Sequence, residues 1–286
     1  MAKLIIDRKI LVVGLGLIGG SYAEGLRRYG FEVGAITRSR SSIDYALEKG
    51  IIDHGQCEVT PEYVSGFDIV IFALYPQVFR DWIRDYQHCF KIGAVISDVT
   101  GVKGTVVDEI QSMLRDDVEF VSAHPMAGRE VYGVQNSNAA IFAGANFIIT
   151  PTQKNSPEAV ELIASMAQLL GFRKISCISP AEHDEMVGFL SQLTHCIAVA
   201  LMTCKDDATS LARYSGDSFR DLTRIARINE NMWTELFLEN KEQLLKQMDL
   251  FMDKFSELKE ALQNSDVELF KQMMRLSSER RAHFDK

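Results

Sequence analysis

The sequence predicts an α/β half followed by an all-α half, and three observations carry that division. Short apolar runs typical of buried parallel strands recur through the first 180 residues, separated by segments of helical period. The first of these runs leads directly into a glycine-rich turn. Beyond Pro180 no convincing segment of period two remains, and long segments of period 3.6 take over, so the chain divides into residues 1–180 and 181–286.

Ile10 to Val13 is a continuous apolar run, as a strand buried on both faces requires. It feeds Gly14-Leu-Gly-Leu-Ile-Gly19, a GxGxxG turn in which Leu17 and Ile18 open a helix reaching about Arg28. Gly14 makes the tight turn, Gly16 lets the backbone approach a pyrophosphate, and Gly19 lets the helix pack closely on the sheet. The helix N-terminus then aims its amides at phosphate. A second strand at Glu32 to Ile36 completes the context the motif needs, so the first half is a Rossmann-type dinucleotide-binding domain.

The end of that second strand bears on the choice of cofactor. NAD sites place a carboxylate there for the ribose hydroxyls. Here Thr37, Arg38, Ser39 and Arg40 follow Ile36, with no acid among them. Hydroxyls and guanidinium groups suit the extra phosphate of NADP, which is favoured, with NAD the alternative.

Ser41 to Lys49 reads as a helix capped by Ser41 or Ser42, and Asp68 to Leu74 as the next strand. Leu74, Tyr75 and Pro76 then lie at the carboxyl edge of the sheet, where open α/β sheets bind ligands. A helix is expected over Trp82 to Phe90, a strand over Ala94 to Ser97 and a helix over Gly104 to Met113. The loop Asp98 to Lys103 offers Thr100 and Lys103 as substrate or cofactor contacts. Val118 to Val121 is a strand delivering His124 at its mouth; a histidine there is a general acid/base candidate, because its ordinary pKa of about 6.5 lies near working pH. Strands at Phe147 to Thr150 and Lys174 to Ile178, around a helix at Pro157 to Leu170, close this half.

In the second half, a largely apolar helix from Glu182 to Cys204 carries Ser191, Gln192 and His195 close to one face. Arg220 and Arg224 share a face four residues apart, with Asp221 placed to pair with Arg224. From Trp233 onward the chain is one long helix or two. Leu244, Met248, Phe251, Phe255, Leu258 and Leu262 form an a/d-like seam, which points to a homodimer through the helical half.

Composition narrows the classes. The hydrophobic share of 47% and charged share of 24% are those of a globular protein, and a net charge of −8 argues against a nucleic-acid partner. No apolar run is expected to reach the length of a membrane span, and residues 1–9 lack the apolar core of a secretory leader. Five cysteines without a CxxC pair point to reduced thiols, a cytoplasmic setting and no metal site.

Taken in order, GLGLIGGS at Gly14 to Ser21, DVTGVK at Asp98 to Lys103 and HPMAGRE at His124 to Glu130 resemble the prephenate dehydrogenase family, which includes arogenate-specific members. The likeness continues through His183-Asp184, LSQLTH ending at His195, FRDLTRIA at Phe219 to Ala226 and MWTELFLENKE at Met232 to Glu242. It implies a dinucleotide-binding domain followed by a helical dimerisation domain, with the active site between them. It also implies oxidative decarboxylation of prephenate to 4-hydroxyphenylpyruvate, or of arogenate to tyrosine, with NAD or NADP. By the same resemblance His124 is the base, His195 helps hold substrate, Arg224 binds a substrate carboxylate and Glu130 lies at the mouth.

Three positions depart from the family pattern. Gly101 stands where many members have the serine that supports the catalytic histidine, and the Thr100 hydroxyl is its expected substitute. Gln192 stands where a histidine is usual, and Arg129 replaces a small hydroxyl residue. Two further readings share the first half: a β-hydroxyacid dehydrogenase, which needs a helical lysine that Glu182 to Met202 lacks, and a non-catalytic NADP sensor.

Overall fold

The computed structural model describes residues 7–129, 131–206 and 208–284. The first half is built on an eight-stranded sheet with order β3-β2-β1-β4-β5-β6-β7-β8. Its strands are β1 Ile10–Val13, β2 Val33–Ile36, β3 His54–Gln56, β4 Ile69–Phe72, β5 Val95–Asp98, β6 Glu119–Met126, β7 Asn146–Thr150 and β8 Lys174–Cys177. Strands β1 to β6 pair in parallel, β7 runs antiparallel to β6, and β8 is parallel to β7.

Helices cover both faces: α1 Leu17–Arg28, α2 Arg40–Glu48, α3 Pro61–Val64, α4 Pro76–Tyr86, α5 Gly104–Met113 and α6 Pro157–Leu169. Strand β1 shows why a continuous apolar run was needed. Ile10 and Val12 join the core under α1, α2 and α6, while Leu11 and Val13 join the core under α4 and α5. Chain order reverses on the two sides of β1, since β2 lies on one flank and β4 on the other; ligands of open sheets bind at such a switch point.

Several boundaries differ from expectation. Ser39, not Ser41 or Ser42, caps α2 by accepting from the Ser42 amide. Helix α4 begins at Pro76, six residues before Trp82, because proline is pre-organised for the first helical turn. Strand β6 runs to Met126, so His124 lies within a strand and pairs with Ile148 of β7.

The second half opens with one helical rod over 180–203: α7 Pro180–Val187, a π-helical stretch Gly188–Leu193 and α8 Thr194–Thr203. Ser179 and Glu182 form a reciprocal capping box at its start. By length and composition this rod is apolar enough to cross a membrane, contrary to the expectation that no run would be. Its charges cluster in the first turns, which leaves a long uncharged remainder. That remainder packs against α12 (Lys241–Gln263) and against a turn at Arg224–Ala226.

The remaining helices are α9 Ala208–Leu211, α10 Asp217–Thr223, α11 Glu230–Glu239 and α13 Val267–Arg281. Asn240 separates α11 from α12; its side chain donates to the Asp184 carbonyl and to Gln192 Oε1.

The two halves are tied at helix N-termini, where unpaired amides favour anionic partners. Asp184 of α7 accepts from the Lys103 and Gly104 amides at the start of α5, at 2.8 and 2.7 Å. Glu235 of α11 accepts from the Gln77 amide of α4. Arg80, only 6% exposed, makes a bidentate pair with Glu239 at 2.8 Å and also pairs with Glu109.

Candidate active site

The glycine turn has the shape a dinucleotide requires. Gly14 has φ +100°, and a Cβ there would stand 2.4 Å from the Ala73 carbonyl oxygen. A Cβ on Gly19 would collide with the Gly14 carbonyl at 1.9 Å. Gly16, by contrast, faces open space, and α1 starts with no side-chain cap on its amides. Leu17 is buried and Ile18 packs on the core, so these two shape the turn while its backbone is left for the phosphates. Leu74 packs against this turn, Tyr75 is partly exposed above it, and Pro76 is buried as it starts α4.

Past β2, Ser39 is used as the cap of α2 and Arg40 pairs with Asp44 at 2.9 Å, while Thr37 is half-buried and Arg38 exposed.

Next to the sheet's carboxyl edge lies a buried polar knot. Asp98 Oδ1 accepts from Ser122 Oγ at 2.7 Å and from the Ala123 amide at 3.0 Å. Its Oδ2 accepts from the Thr100 amide at 3.0 Å, from the Thr100 hydroxyl and from Lys103 Nζ at 2.7 Å. Lys103 is 0% exposed and donates also to the Ala123 carbonyl at 2.6 Å. Burial pulls the lysine pKa down, and the Asp98 carboxylate opposes that pull. Lys103 and Thr100 are therefore structural: their polar side-chain atoms are spent inside the fold, not on the substrate or cofactor contact expected of them. The Thr100 hydroxyl does not substitute for a serine beside His124, because it is turned to Asp98.

This knot fixes the backbone of β6 and so the place of His124. The His124 ring is partly buried, with Nδ1 2.9 Å from Nε2 of His183. His183 Nδ1 lies 2.8 Å from Asp184 Oδ1. Burial first, then the charges that His183 and Lys103 can carry, hold His124 well below the usual histidine range. It is thus a neutral imidazole, able to accept a proton.

Gly101 lies against this ring and against Leu236 of α11. One turn earlier on α11, Trp233 packs against His195, with ring centroids 3.7 Å apart and the planes tilted by 31°. His195 Nδ1 donates to the Ser191 carbonyl at 2.8 Å, inside the π-helical stretch. Such stretches are frequent at functional sites because the extra residue re-aims the side chains that follow.

Gln192 departs from expectation. It is 1% exposed, accepts from Asn240 and donates to the Leu236 carbonyl at 2.9 Å, so it ties α11 to the rod and does not face a substrate. Arg224 is exposed and follows the end of α10; Arg220 pairs with Asp217 at 3.0 Å. Glu130 lies outside the described residues.

Trp233, His183 and Asp184 lie in motifs that carry the family resemblance, but the sequence assigned them no role. The adjacent His-Asp pair, just after a Ser-Pro-x-Glu capping box, was the signal available for the last two.

Comparisons with known proteins agree with this fold. The family model for the prephenate dehydrogenase nucleotide-binding domain matches residues 22–176, and that for the prephenate dehydrogenase dimerization domain matches residues 179–276. Prephenate dehydrogenase of Bacillus subtilis is 29% identical over 269 residues, spanning 91% of this chain and 71% of the relative. Cyclohexadienyl dehydrogenase of Zymomonas mobilis is 29% identical over 266 residues, spanning 91% and 90%. A crystal structure of prephenate dehydrogenase from Aquifex aeolicus, in complex with hydroxyphenyl propionate and NAD+, matches with a TM-score of 0.90 at 30% identity, covering 99% of this chain and all of that one. A 3-hydroxyisobutyrate dehydrogenase structure from Salmonella typhimurium, at 14% identity and a TM-score of 0.57, shares the fold alone. With both of its halves matched, the chain belongs to the prephenate dehydrogenase family.

Proposed function

We propose that the site around His124 of β6 oxidises prephenate and releases its ring carboxylate as carbon dioxide, giving 4-hydroxyphenylpyruvate in tyrosine biosynthesis. The observation that carries this reading is His124: a neutral, partly exposed imidazole anchored in β6. His124 accepts the proton of the ring hydroxyl. A nicotinamide bound on the glycine turn supplies the hydride acceptor. Loss of carbon dioxide makes the ring aromatic and drives the step forward, so the protein's task is orientation plus one base. His195, packed against Trp233, helps hold the substrate, and Arg224 binds a substrate carboxylate. The exposed charge of Arg129 favours prephenate, the more anionic of the two family substrates, over arogenate.

NADP is the favoured cofactor. With Ser39 and Arg40 engaged in α2, Thr37 and Arg38 are the groups offered to the extra phosphate, and no carboxylate among residues 37–40 opposes it. The working unit is a homodimer through the helical half. Phe255 and Leu262 on the α12 seam are 62% and 66% exposed in the single chain, an apolar face of the kind a second subunit covers.

The test is formation of reduced nicotinamide by the purified protein, with prephenate and arogenate each supplied with NAD and with NADP. Prephenate with NADP is expected to turn over fastest. Turnover confined to arogenate, or to NAD, would overturn the corresponding part of the proposal.

A further inference from the structure

We infer that His183 and Asp184 are positioning residues that set which ring nitrogen of His124 carries the proton. The inference rests on the reading of His124 as the base. The Asp184 carboxylate is fixed from two sides, by the Lys103 amide on Oδ1 and the Gly104 amide on Oδ2. An ionised carboxylate has no proton to donate, so at 2.8 Å the hydrogen must sit on His183 Nδ1. His183 is 0% exposed, and burial disfavours its cation, so its Nε2 is bare. A bare nitrogen 2.9 Å from His124 Nδ1 can only accept, so the His124 proton sits on Nδ1. That leaves Nε2 of His124 as the lone pair facing a substrate hydroxyl.

Among the described residues His183 is the side-chain hydrogen-bond partner of His124. The flank at Gly101 offers none: even an added Cβ would stop 3.8 Å from His124 Cε1. When His124 takes the proton, its Nδ1–H remains donated to His183, and Asp184 orients the whole row.

The experiment compares His183→Leu and His183→Gln with wild type, using prephenate and the cofactor that supports turnover, with His124→Asn in parallel. Glutamine can place an acceptor where Nε2 stood; leucine cannot. His183→Leu is expected to lower kcat roughly 10–100-fold while KM for prephenate and nucleotide affinity stay within about twofold, and His183→Gln to recover most of that loss. If His183→Leu does not fold, His183→Asn replaces it, since asparagine keeps the donor to Asp184 but loses the acceptor for His124. A leucine variant with more than half the wild-type kcat, or equal losses in the leucine and glutamine variants, overturns the inference. An inactive His124→Asn beside an active His183→Leu leaves the base in place and removes the relay; an active His124→Asn removes both.

Discussion

Replacing Lys103 with methionine tests whether this lysine is a structural charge or a substrate contact. The side chain is 0% exposed and its ammonium lies 2.7 Å from Asp98, itself 1% exposed. Methionine fills nearly the same volume, so the loss is electrostatic. Removing one partner of a buried pair costs about 3–5 kcal/mol, because the other charge is left uncompensated. Asp98 keeps Ser122 Oγ, the Ala123 amide and the Thr100 amide and hydroxyl as donors, which places the expected loss near the lower end, about 3 kcal/mol. For a chain of this size that corresponds to a fall in Tm of roughly 6–12 °C. The assay is thermal unfolding at pH 7.5 together with a pH profile of kcat. Lys103 is one of the charges holding the His124 pKa down, so its removal should move the acid limb of the profile to higher pH, towards the ordinary histidine value of about 6.5. A change in stability below about 1 kcal/mol, or loss of turnover with Tm unchanged, would refute the structural assignment.

Two further outcomes concern the histidine pair and Arg224. His124 and His183 both have folded pKa values below the unfolded value of about 6.5, so the unfolded chain binds more protons as pH falls. Their contribution to stability is complete above that value and is lost below it; urea unfolding between pH 7.5 and 5 should show a falling free energy, and a flat profile would contradict the buried neutral pair. Arg224→Ala is expected to raise KM for prephenate at least tenfold and KM for cofactor by less than about twofold, in keeping with loss of one charged hydrogen bond; a protein that instead fails to fold would show Arg224 to be structural.

The sequence disclosed the nucleotide-binding half well because its signals are local. The apolar run Ile10–Val13 and the helix Gly104–Met113 have in the structure the bounds read from the sequence. Strand β6 runs farther than its apolar core, to Met126, because pairing with β7 extends it, and such pairing is invisible to a local pattern. Strand β3 was missed: three residues, His54-Gly-Gln56, hold their place through pairing with β2 and carry no apolar signature. In the site, His124 and His195 were legible as residue types in context. The roles of Thr100, Lys103 and Gln192 were not, because position at a sheet edge or on a helix face does not reveal which way a polar side chain turns. Each is spent inside the fold: Thr100 and Lys103 on nearby Asp98, Lys103 also on the Ala123 carbonyl, and Gln192 on Asn240 and the Leu236 carbonyl, far from it in sequence. His183 was hidden for a related reason, since a fully buried histidine gains a role only through the ring it touches.

The most direct test of the account is single-turnover reduction of cofactor by the His124→Asn variant in the presence of prephenate. Asparagine preserves polarity and approximate size in β6 but cannot take up a proton at working pH. With nucleotide binding and Tm near wild type, the hydride-transfer rate is expected to fall by a factor on the order of 10²–10⁴, the usual contribution of a general base. A rate within threefold of wild type, in a folded protein that still binds cofactor, would show that the hydroxyl proton leaves by another route and that His124 is not the base.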